Sequence, residues 1–233
     1  MLKIENTEVF GWEAAVRGMR NPMNSWDKSD SCFKCNEMEC EDCANYEKRV
    51  FTDIGWKCDE VAIHIGENDL KLMRNLSKAG NDHGKFLRMI NVALDITAPL
   101  YWWKEFDTYK VGTVANSCST MHKIHAKEFE LDDFSCEYLS PLSIVILEDT
   151  IHTMNEYRKS FIEHKEKLDW WQMIQLLPSS YNQLRTVQLN YQVLKTMYFA
   201  RRNHKLDEWH TLCDWMKKLP YFKEVCIDAD NNN

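Results

Sequence analysis

The scarcity of turn-forming residues is the feature of this 233-residue chain that most restricts its fold. The chain has 7 glycines and 5 prolines, whereas average usage would give about 28 such residues. A many-stranded barrel or sandwich needs a turn between each pair of strands. The composition therefore predicts long helices rather than an all-β fold.

The positions of these glycines exclude the two common phosphate-binding loops. No two glycines are separated by a single residue, which removes the Gly-x-Gly-x-x-Gly dinucleotide loop. The sequence also lacks the Gly-Lys-Ser/Thr end of a Walker loop. A phosphate group would therefore have to be held by side chains or by helix ends.

Charge and hydropathy argue against two kinds of binding partner, nucleic acids and membranes. The chain has 29 basic and 36 acidic residues, a net charge of −7, and its longest basic run is only Arg201-Arg202 with His204-Lys205. Because nucleic-acid binding needs a net basic domain or a clustered basic face, we predict no nucleic-acid partner. No apolar stretch approaches about 18 residues, and the N-terminus lacks a signal-peptide core. We therefore predict no membrane partner and a cytoplasmic location.

Hydrophobic periodicity and capping signals locate the main elements. Ser140 followed by Pro141 marks the start of the longest helix, as a capping serine with proline in the first turn. Asn68 or Asp69 can cap another helix. The predicted helices cover 12–20, 68–78, 140–166, 168–177 and 179–202, with a last one from 206 to a stop at Leu219-Pro220, and the predicted strands cover 2–4 and 86–96.

The helix over 179–202 rests on the clearest helical spacing in the chain. Its apolar residues lie 3, 4, 3 and 4 positions apart and are Leu184, Val187, Tyr191, Leu194 and Tyr198. Together the elements predict an α+β fold, with long helices packed on a small antiparallel or mixed sheet. We expect one domain over 1–233, with a Cys-rich excursion at about 25–60 and a disordered tail at about 228–233.

A cysteine cluster interrupts the first half. Cys32, Cys35, Cys40 and Cys43 form C-x2-C-x4-C-x2-C, and two C-x-x-C pairs are the usual way to place four thiolates around structural zinc. Cys58 lies close enough in sequence to replace one of them. The last three cysteines of the cluster also match a C-x4-C-x2-C iron–sulfur spacing, and thiols without a metal are the third interpretation.

Histidines and tryptophans offer weaker signals. His122 and His125 have a spacing that could ligate a metal, but no third ligand has an obvious spacing, so a surface or core-edge role is favoured. The nine tryptophans include the pairs Trp102-Trp103 and Trp170-Trp171. Such rings could line a pocket for a flat ligand, but packing between long helices is the better interpretation for most of them.

Several segments resemble one known family in their order along the chain. Residues 15–20 read Ala-Val-Arg-Gly-Met-Arg, similar to an A-V-R-A-A-R helix. Residues 72–92 hold a Leu…Lys-x-Gly pattern, then His-x-x-Phe, then a strand. Leu177-Pro178 is followed by Asn190, Leu194 and Arg201 at the spacing of an L-P…N…L…L-R motif. In these segments, over most of the chain outside about 25–60, it resembles the flavin-dependent thymidylate synthases.

The resemblance implies an enzyme built as a homotetramer of helices around a small sheet, with FAD and dUMP at subunit junctions. In that family reduced flavin and methylenetetrahydrofolate convert dUMP to dTMP. The resemblance implies that Arg201 contacts the uracil ring as the catalytic and substrate-binding arginine, and that Asn190 lies on the flavin side. A fixed guanidinium also suits a negative charge that develops on the ring during reaction. Without a nucleotide, Arg201 would pair with an acidic side chain such as Glu208 or Asp207.

The same resemblance implies the remaining site residues and marks where this chain departs from the family. It assigns His83, Lys104 and Asn116 to the cofactor, and Ser119 and Arg20 to the substrate. The family's R-H-R signature is not retained, since the corresponding stretch at 101–106 reads Tyr-Trp-Trp-Lys-Glu-Phe, and methionine 121 replaces an arginine.

Two functions follow from these matches and departures. One is a divergent flavin enzyme that methylates a pyrimidine nucleotide. The alternative is a catalytically silent relative that acts as a nucleotide- or protein-binding scaffold.

Overall fold

The computed structural model describes residues 2–33, 49–52, 55–58 and 63–231. The strands are β1 (Lys3–Phe10), β2 (Arg49–Thr52), β3 (Gly55–Cys58), β4 (Asn91–Pro99), β5 (Val114–Ser117) and β6 (Asn182–Asn190). The helices are α1 (Trp12–Arg20), α2 (Glu67–Lys78), α3 (Leu100–Phe106), α4 (Pro141–His164), α5 (Lys167–Leu176), α6 (Tyr191–Arg201), α7 (Asp207–Met216) and α8 (Asp228–Asn231).

The predicted α+β class is confirmed. Long helices accompany a small antiparallel sheet of four strands in the order β1-β4-β6-β5. A separate antiparallel hairpin of β2 and β3 lies within the predicted Cys-rich excursion. No helix among the described residues is both long and apolar enough to cross a membrane.

The contacts of the described chain group into two compact units, each made of several chain segments. Unit 1 takes the described residues within 1–8, 93–188 and 201–213. Unit 2 takes those within 9–92, 189–200 and 214–233. The single domain expected from the sequence stays a prediction.

In unit 1, helices α4 and α5 pack around an apolar cluster. The predicted start of α4 is confirmed, because the Ser140 hydroxyl accepts a hydrogen bond from the Ser143 backbone N–H and Pro141 is the first helical residue. Lys165 ends the helix in the left-handed conformation (φ 58°). The buried members of the cluster include Phe129, Phe134, Leu147, Ile151, Met154 and Met173.

A second core region of unit 1 is aromatic. Trp102, Trp103, Phe106 and Trp209 are at most 2% exposed, and their ring centroids lie 4.9–6.5 Å apart. These rings fill the interior behind α3, so the packing interpretation holds for both members of the Trp102-Trp103 pair.

In unit 2, a glycine fixes the start of α1. Gly11 has φ +95°, and a Cβ there would lie 2.1 Å from the Met89 carbonyl oxygen, so only glycine fits without a backbone shift. Trp12 then packs edge-to-face on Tyr191 (5.4 Å between ring centroids). The Tyr191 hydroxyl donates to the Pro220 carbonyl oxygen at 2.7 Å, which satisfies the polar end of a buried ring.

The helix predicted over 179–202 is wrong in its first half. Residues 182–190 form β6, and only Tyr191–Arg201 is helical. In β6 the buried residues are Gln183, Val187 and Leu189, whereas Leu184 is 38% exposed. Burial therefore follows the two-residue period of a strand.

Three smaller differences concern element boundaries. The strand expected over 86–96 is a 3-10 turn (Gly84–Arg88) followed by β4, in which Val92, Leu94, Ile96 and Ala98 are buried. Helix α2 begins at Glu67 rather than after a cap at Asn68 or Asp69. The structure also shows a short helix over Asp228–Asn231, with Ala229 5% exposed, where a disordered tail was predicted.

Candidate functional site

Arg201, the predicted catalytic residue, ends α6 within a cluster of polar and aromatic side chains. Its Nη1 donates to Glu105 Oε2 at 2.8 Å, and its Nε donates to the Tyr109 hydroxyl at 3.0 Å. The guanidinium carbon lies 4.7 Å from the Trp209 ring centroid, a cation–π distance. The Arg201 side chain is 19% exposed. Among the described residues its Nη2 has no hydrogen-bond partner.

Glu105 is the centre of this cluster. Besides Arg201, its Oε2 accepts from Trp209 Nε1 at 3.1 Å and lies 3.1 Å from His204 Nε2. His204 Nδ1 accepts from the Leu206 backbone N–H. The other ring nitrogen, Nε2, is the one that faces the Glu105 carboxylate. One carboxylate thus holds an arginine, a histidine and a tryptophan together.

The acidic residues expected beside Arg201 bond elsewhere. Glu208 accepts a hydrogen bond from the Tyr101 hydroxyl, and Asp207 accepts one from the Tyr138 hydroxyl. The pairing of Arg201 with Glu208 or Asp207 was therefore wrong, because α3 supplies Glu105 and the tyrosines occupy the other two carboxylates. Burial and the Glu208 carboxylate raise the pKa of Tyr101 above its ordinary value.

Of the other predicted site residues of unit 1, two are exposed and Ser119 is half-buried. Lys104 is exposed on α3, and Asn116 is exposed on β5, opposite Thr186 of β6. Ser119 follows β5, and its hydroxyl accepts from the backbone N–H groups of Met121 and His122. Ser119 therefore shapes the turn that carries Met121, while its binding role stays a prediction.

Arg20, in unit 2, lies in a buried ion pair. Its Nε donates to Asp69 Oδ1 at 2.6 Å, and Nη1 and Nη2 donate to the carbonyl oxygens of Ser25 and Lys28 at 3.0 and 2.9 Å. The side chains of Arg20 and Asp69 are 4% and 0% exposed. All three guanidinium nitrogens thus bond to the protein, and the substrate-binding role of Arg20 stays an untested prediction.

The remaining predicted cofactor residues are also in unit 2. Asn190 lies at the end of β6, and its side-chain oxygen accepts from the Val193 backbone N–H at 3.1 Å, which caps α6. His83 is exposed before the 3-10 turn. Neither contact tests the assignment of these residues to FAD.

Of the four predicted zinc ligands, the structure describes only Cys32. Cys32 pairs with His64 through backbone hydrogen bonds of 2.8 and 3.1 Å, whereas Cys35, Cys40 and Cys43 lie outside the described residues. Among the described residues, no group of three His, Cys, Asp or Glu side chains is placed to hold a metal ion. The zinc site therefore stays a prediction.

Comparison with known proteins gives matches to solved structures. No family model matches the chain, and no curated protein sequence matches it. A crystal structure of the flavin-dependent thymidylate synthase ThyX from Helicobacter pylori, complexed with FAD and dUMP, has a TM-score of 0.61 at 14% identity, covering 97% of this chain and 99% of that one. A second crystal structure of that enzyme, with FAD and dUMP, has a TM-score of 0.61 at 14% identity, and the match covers 100% of both chains. This chain has the ThyX fold.

The residues assigned to FAD do not by themselves complete a site for it. Lys104, Asn116 and His83 are exposed and can offer hydrogen bonds, whereas the Asn190 oxygen already caps a helix. Lys104 is the one permanent cation among the four, yet both phosphates of the FAD pyrophosphate are anionic. Charge-assisted contacts are the strong ones for phosphate, so FAD binding would need at least one cation in addition to these four residues.

The sequence interpretation missed the polar partners that define both arginine sites. Glu105 lies 96 residues from Arg201, and Asp69 lies 49 residues from Arg20. No local spacing links residues so far apart. One signal was available, because a buried arginine among apolar residues requires an acidic partner, but this requirement does not say which acid.

Proposed function

We propose that this protein is a divergent ThyX-like enzyme that binds a pyrimidine nucleotide, with FAD and methylenetetrahydrofolate as the cofactors for methylation of the ring. One observation carries the proposal. The whole chain matches the fold of an enzyme whose structures hold FAD and dUMP. Since the fold alone is shared at 14% identity, the reaction is inferred from that fold.

Arg201 is the residue that we assign to the nucleotide ring. Its Nη2 and its partial exposure leave it able to donate to a ligand oxygen while Glu105 holds Nη1. Negative charge that develops on the ring carbonyl would be stabilised by this fixed cation. The Trp209 and Tyr109 rings beside the guanidinium hold its plane in place, which reduces the entropy lost on binding.

A catalytically silent nucleotide- or protein-binding relative is the second candidate. The observation that favours it is the Glu105 carboxylate, which neutralises Arg201 inside the protein. Methionine 121 also stands where the family has an arginine, and loss of one charge-assisted phosphate contact weakens binding roughly tenfold to a hundredfold.

Flavin content and turnover separate the two candidates. The enzyme is expected to copurify with flavin or to bind added FAD, with visible flavin absorbance, and to convert dUMP to dTMP when methylenetetrahydrofolate and a reductant are supplied. The silent relative is expected to bind dUMP without product. Absence of binding to any pyrimidine nucleotide, with and without FAD, would contradict the enzyme and the nucleotide-binding relative, and would leave only the protein-binding scaffold.

The assembly and metal expectations are proposals of the same kind. A homotetramer is supported by apolar side chains on the open face of α4, where Leu142, Val145 and Ile146 are 71%, 51% and 58% exposed. Light scattering that gives a 27.7 kDa monomer at micromolar concentration would contradict it. Structural zinc at Cys32, Cys35, Cys40 and Cys43 and a cytoplasmic location also remain proposals.

A further inference from the structure

A solvent-open cavity of about 320 Å³ lies in unit 1. Its walls are the loop after β5, the end of α4 and the start of α5. None of the residues that line it belongs to the cluster around Arg201. Its volume is at the small end of ligand pockets, which suits a mononucleotide better than a molecule as large as FAD.

Aromatic rings form part of the wall of this cavity. Phe161 packs edge-to-face on His125, with ring centroids 4.9 Å apart. Trp170 is held by its Nε1, which donates to the Met121 carbonyl oxygen at 2.9 Å. These fixed rings offer the flat apolar surface on which a nucleobase stacks.

Two lysines also line the cavity. They are Lys165 and Lys167, and neither forms an ion pair within the described part of the chain. The Lys165 Nζ lies 5.6 Å from the Phe161 ring centroid. No carboxylate is among the side chains that the structure places on the cavity wall. An anion would therefore meet two positive charges and no opposing one.

His125 adds an unsatisfied polar atom. Its Nδ1 is buried and has no hydrogen-bond partner among the described residues, an arrangement that proteins usually avoid. Burial lowers the pKa of His125, and the charges of Lys165, Lys123 and Arg158 lower it further. The ring is therefore neutral at pH 7, with one nitrogen that donates and one that accepts hydrogen bonds.

We propose that this cavity binds a nucleoside monophosphate, with its base against Phe161 and Trp170 and its phosphate beside Lys165 and Lys167. The site is additional to the one proposed at Arg201. Because stacking accepts any base, we expect UMP and AMP to bind with similar affinity. Inorganic phosphate and uridine each lack half of the recognition and should bind at least tenfold more weakly.

The test is an NMR titration of the His125 ring signals with UMP, assigned by the His125→Gln variant. Saturable shifts in the wild-type protein are expected. In Lys165→Gln/Lys167→Gln the affinity should fall roughly tenfold to a hundredfold, and in Phe161→Leu it should also fall. The control Lys159→Gln removes an exposed charge from the same helix outside the cavity and should leave the titration unchanged. Circular dichroism confirms that each variant is folded.

Three outcomes would overturn the inference. They are no His125 shift at millimolar UMP, an unchanged affinity in the double lysine variant, and equal binding of inorganic phosphate. The proposed function is judged separately by Arg201→Ala, which should leave the His125 titration intact. Nucleotide binding that depends on Arg201 but does not shift His125 would refute the cavity site alone.

Discussion

Two arginines, each paired with a carboxylate, occupy contrasting environments in the two units. Arg20 and Asp69 are 4% and 0% exposed, and every nitrogen of Arg20 bonds to the protein. The side chains of Arg201 and Glu105 are 19% and 35% exposed, and the Arg201 guanidinium packs against the Tyr109 and Trp209 rings. The first pair is a closed clamp, whereas the second is open on one side.

The difference separates a structural arginine from one that can take part in binding. Asp69 also accepts from the hydroxyl groups of Ser29 and Ser31 and from the Asp30 N–H, so it holds the segment before the cysteine cluster against α2. Any ligand at Arg20 would have to break this network. Arg201 could bind a ligand without breaking a hydrogen bond, because its Nη2 has no partner among the described residues.

The largest predicted effect is on the closed clamp. Asp69→Asn leaves the Arg20 charge buried without its counter-charge, and we expect the free energy of unfolding to fall by about 3–5 kcal/mol. Urea denaturation followed by circular dichroism measures this loss. The control Asp82→Asn changes the charge equally at an exposed position and should stay within about 0.5 kcal/mol. A loss below 1 kcal/mol in Asp69→Asn would mean that the clamp is not structural.

Acid should open the same clamp. Burial alone would raise the pKa of Asp69, but hydrogen bonds from Ser31, Ser29 and Arg20, with the Arg20 charge, lower it below 3.8. Because the unfolded chain binds the proton first, the contribution of Asp69 is complete above pH 3.8 and is lost as pH falls through the folded-state pKa. Denaturation midpoints of wild type and Asp69→Asn should therefore converge in acid. A constant difference between them would contradict this.

A smaller effect is predicted for the open pair. Glu105→Gln removes the counter-charge of Arg201, and we expect a loss of about 1–3 kcal/mol, reduced by solvent screening. The freed guanidinium should bind dUMP several-fold more tightly, as calorimetry would show. Glu128→Gln, at an exposed position, is the matched control. Equal destabilisation at Glu105 and Asp69 would remove the distinction between the two pairs.

The smallest effect on folding is predicted for the cysteine cluster. Elemental analysis should give about one zinc per chain, and Cys40→Ser should lose it. Because the sequence predicts the cluster to be an excursion from the core, we expect helical content and the stability of both arginine pairs to be nearly unchanged. Protein purified without chelator that holds no metal would contradict the site, and loss of the Asp69 clamp on zinc removal would show that metal and clamp are coupled.

Elements defined by local chemistry were predictable from the sequence. Helix α1 has the predicted bounds, and α4 begins at the predicted Ser140-Pro141 cap. Strand β6 was not predictable in this way, since Leu184 and Val187 matched a helical spacing by coincidence. What makes this segment a strand is pairing with β5 some 70 residues earlier, which no local period contains.

The candidate site was predictable in its residues but not in their partners. The position of Arg201 followed from a motif, whereas Glu105 reaches it through the fold of α3. The α2 cap was missed for the same reason. Asp30 accepts from the backbone N–H groups of Asn68 and Asp69, 38 and 39 residues later in the chain, so a residue outside the helix replaces the expected local cap.

The most direct test of the open arginine site is calorimetric titration of dUMP into Arg201→Ala, with Arg202→Ala as the neighbouring control. We predict that Arg201→Ala weakens dUMP binding by roughly tenfold to a hundredfold, that its melting temperature falls only by the few degrees that loss of a partly exposed ion pair causes, and that Arg202→Ala binds normally. An unchanged dUMP affinity in Arg201→Ala would contradict the account. A melting temperature that falls and is partly restored in Arg201→Ala/Glu105→Gln would then identify the pair as structural.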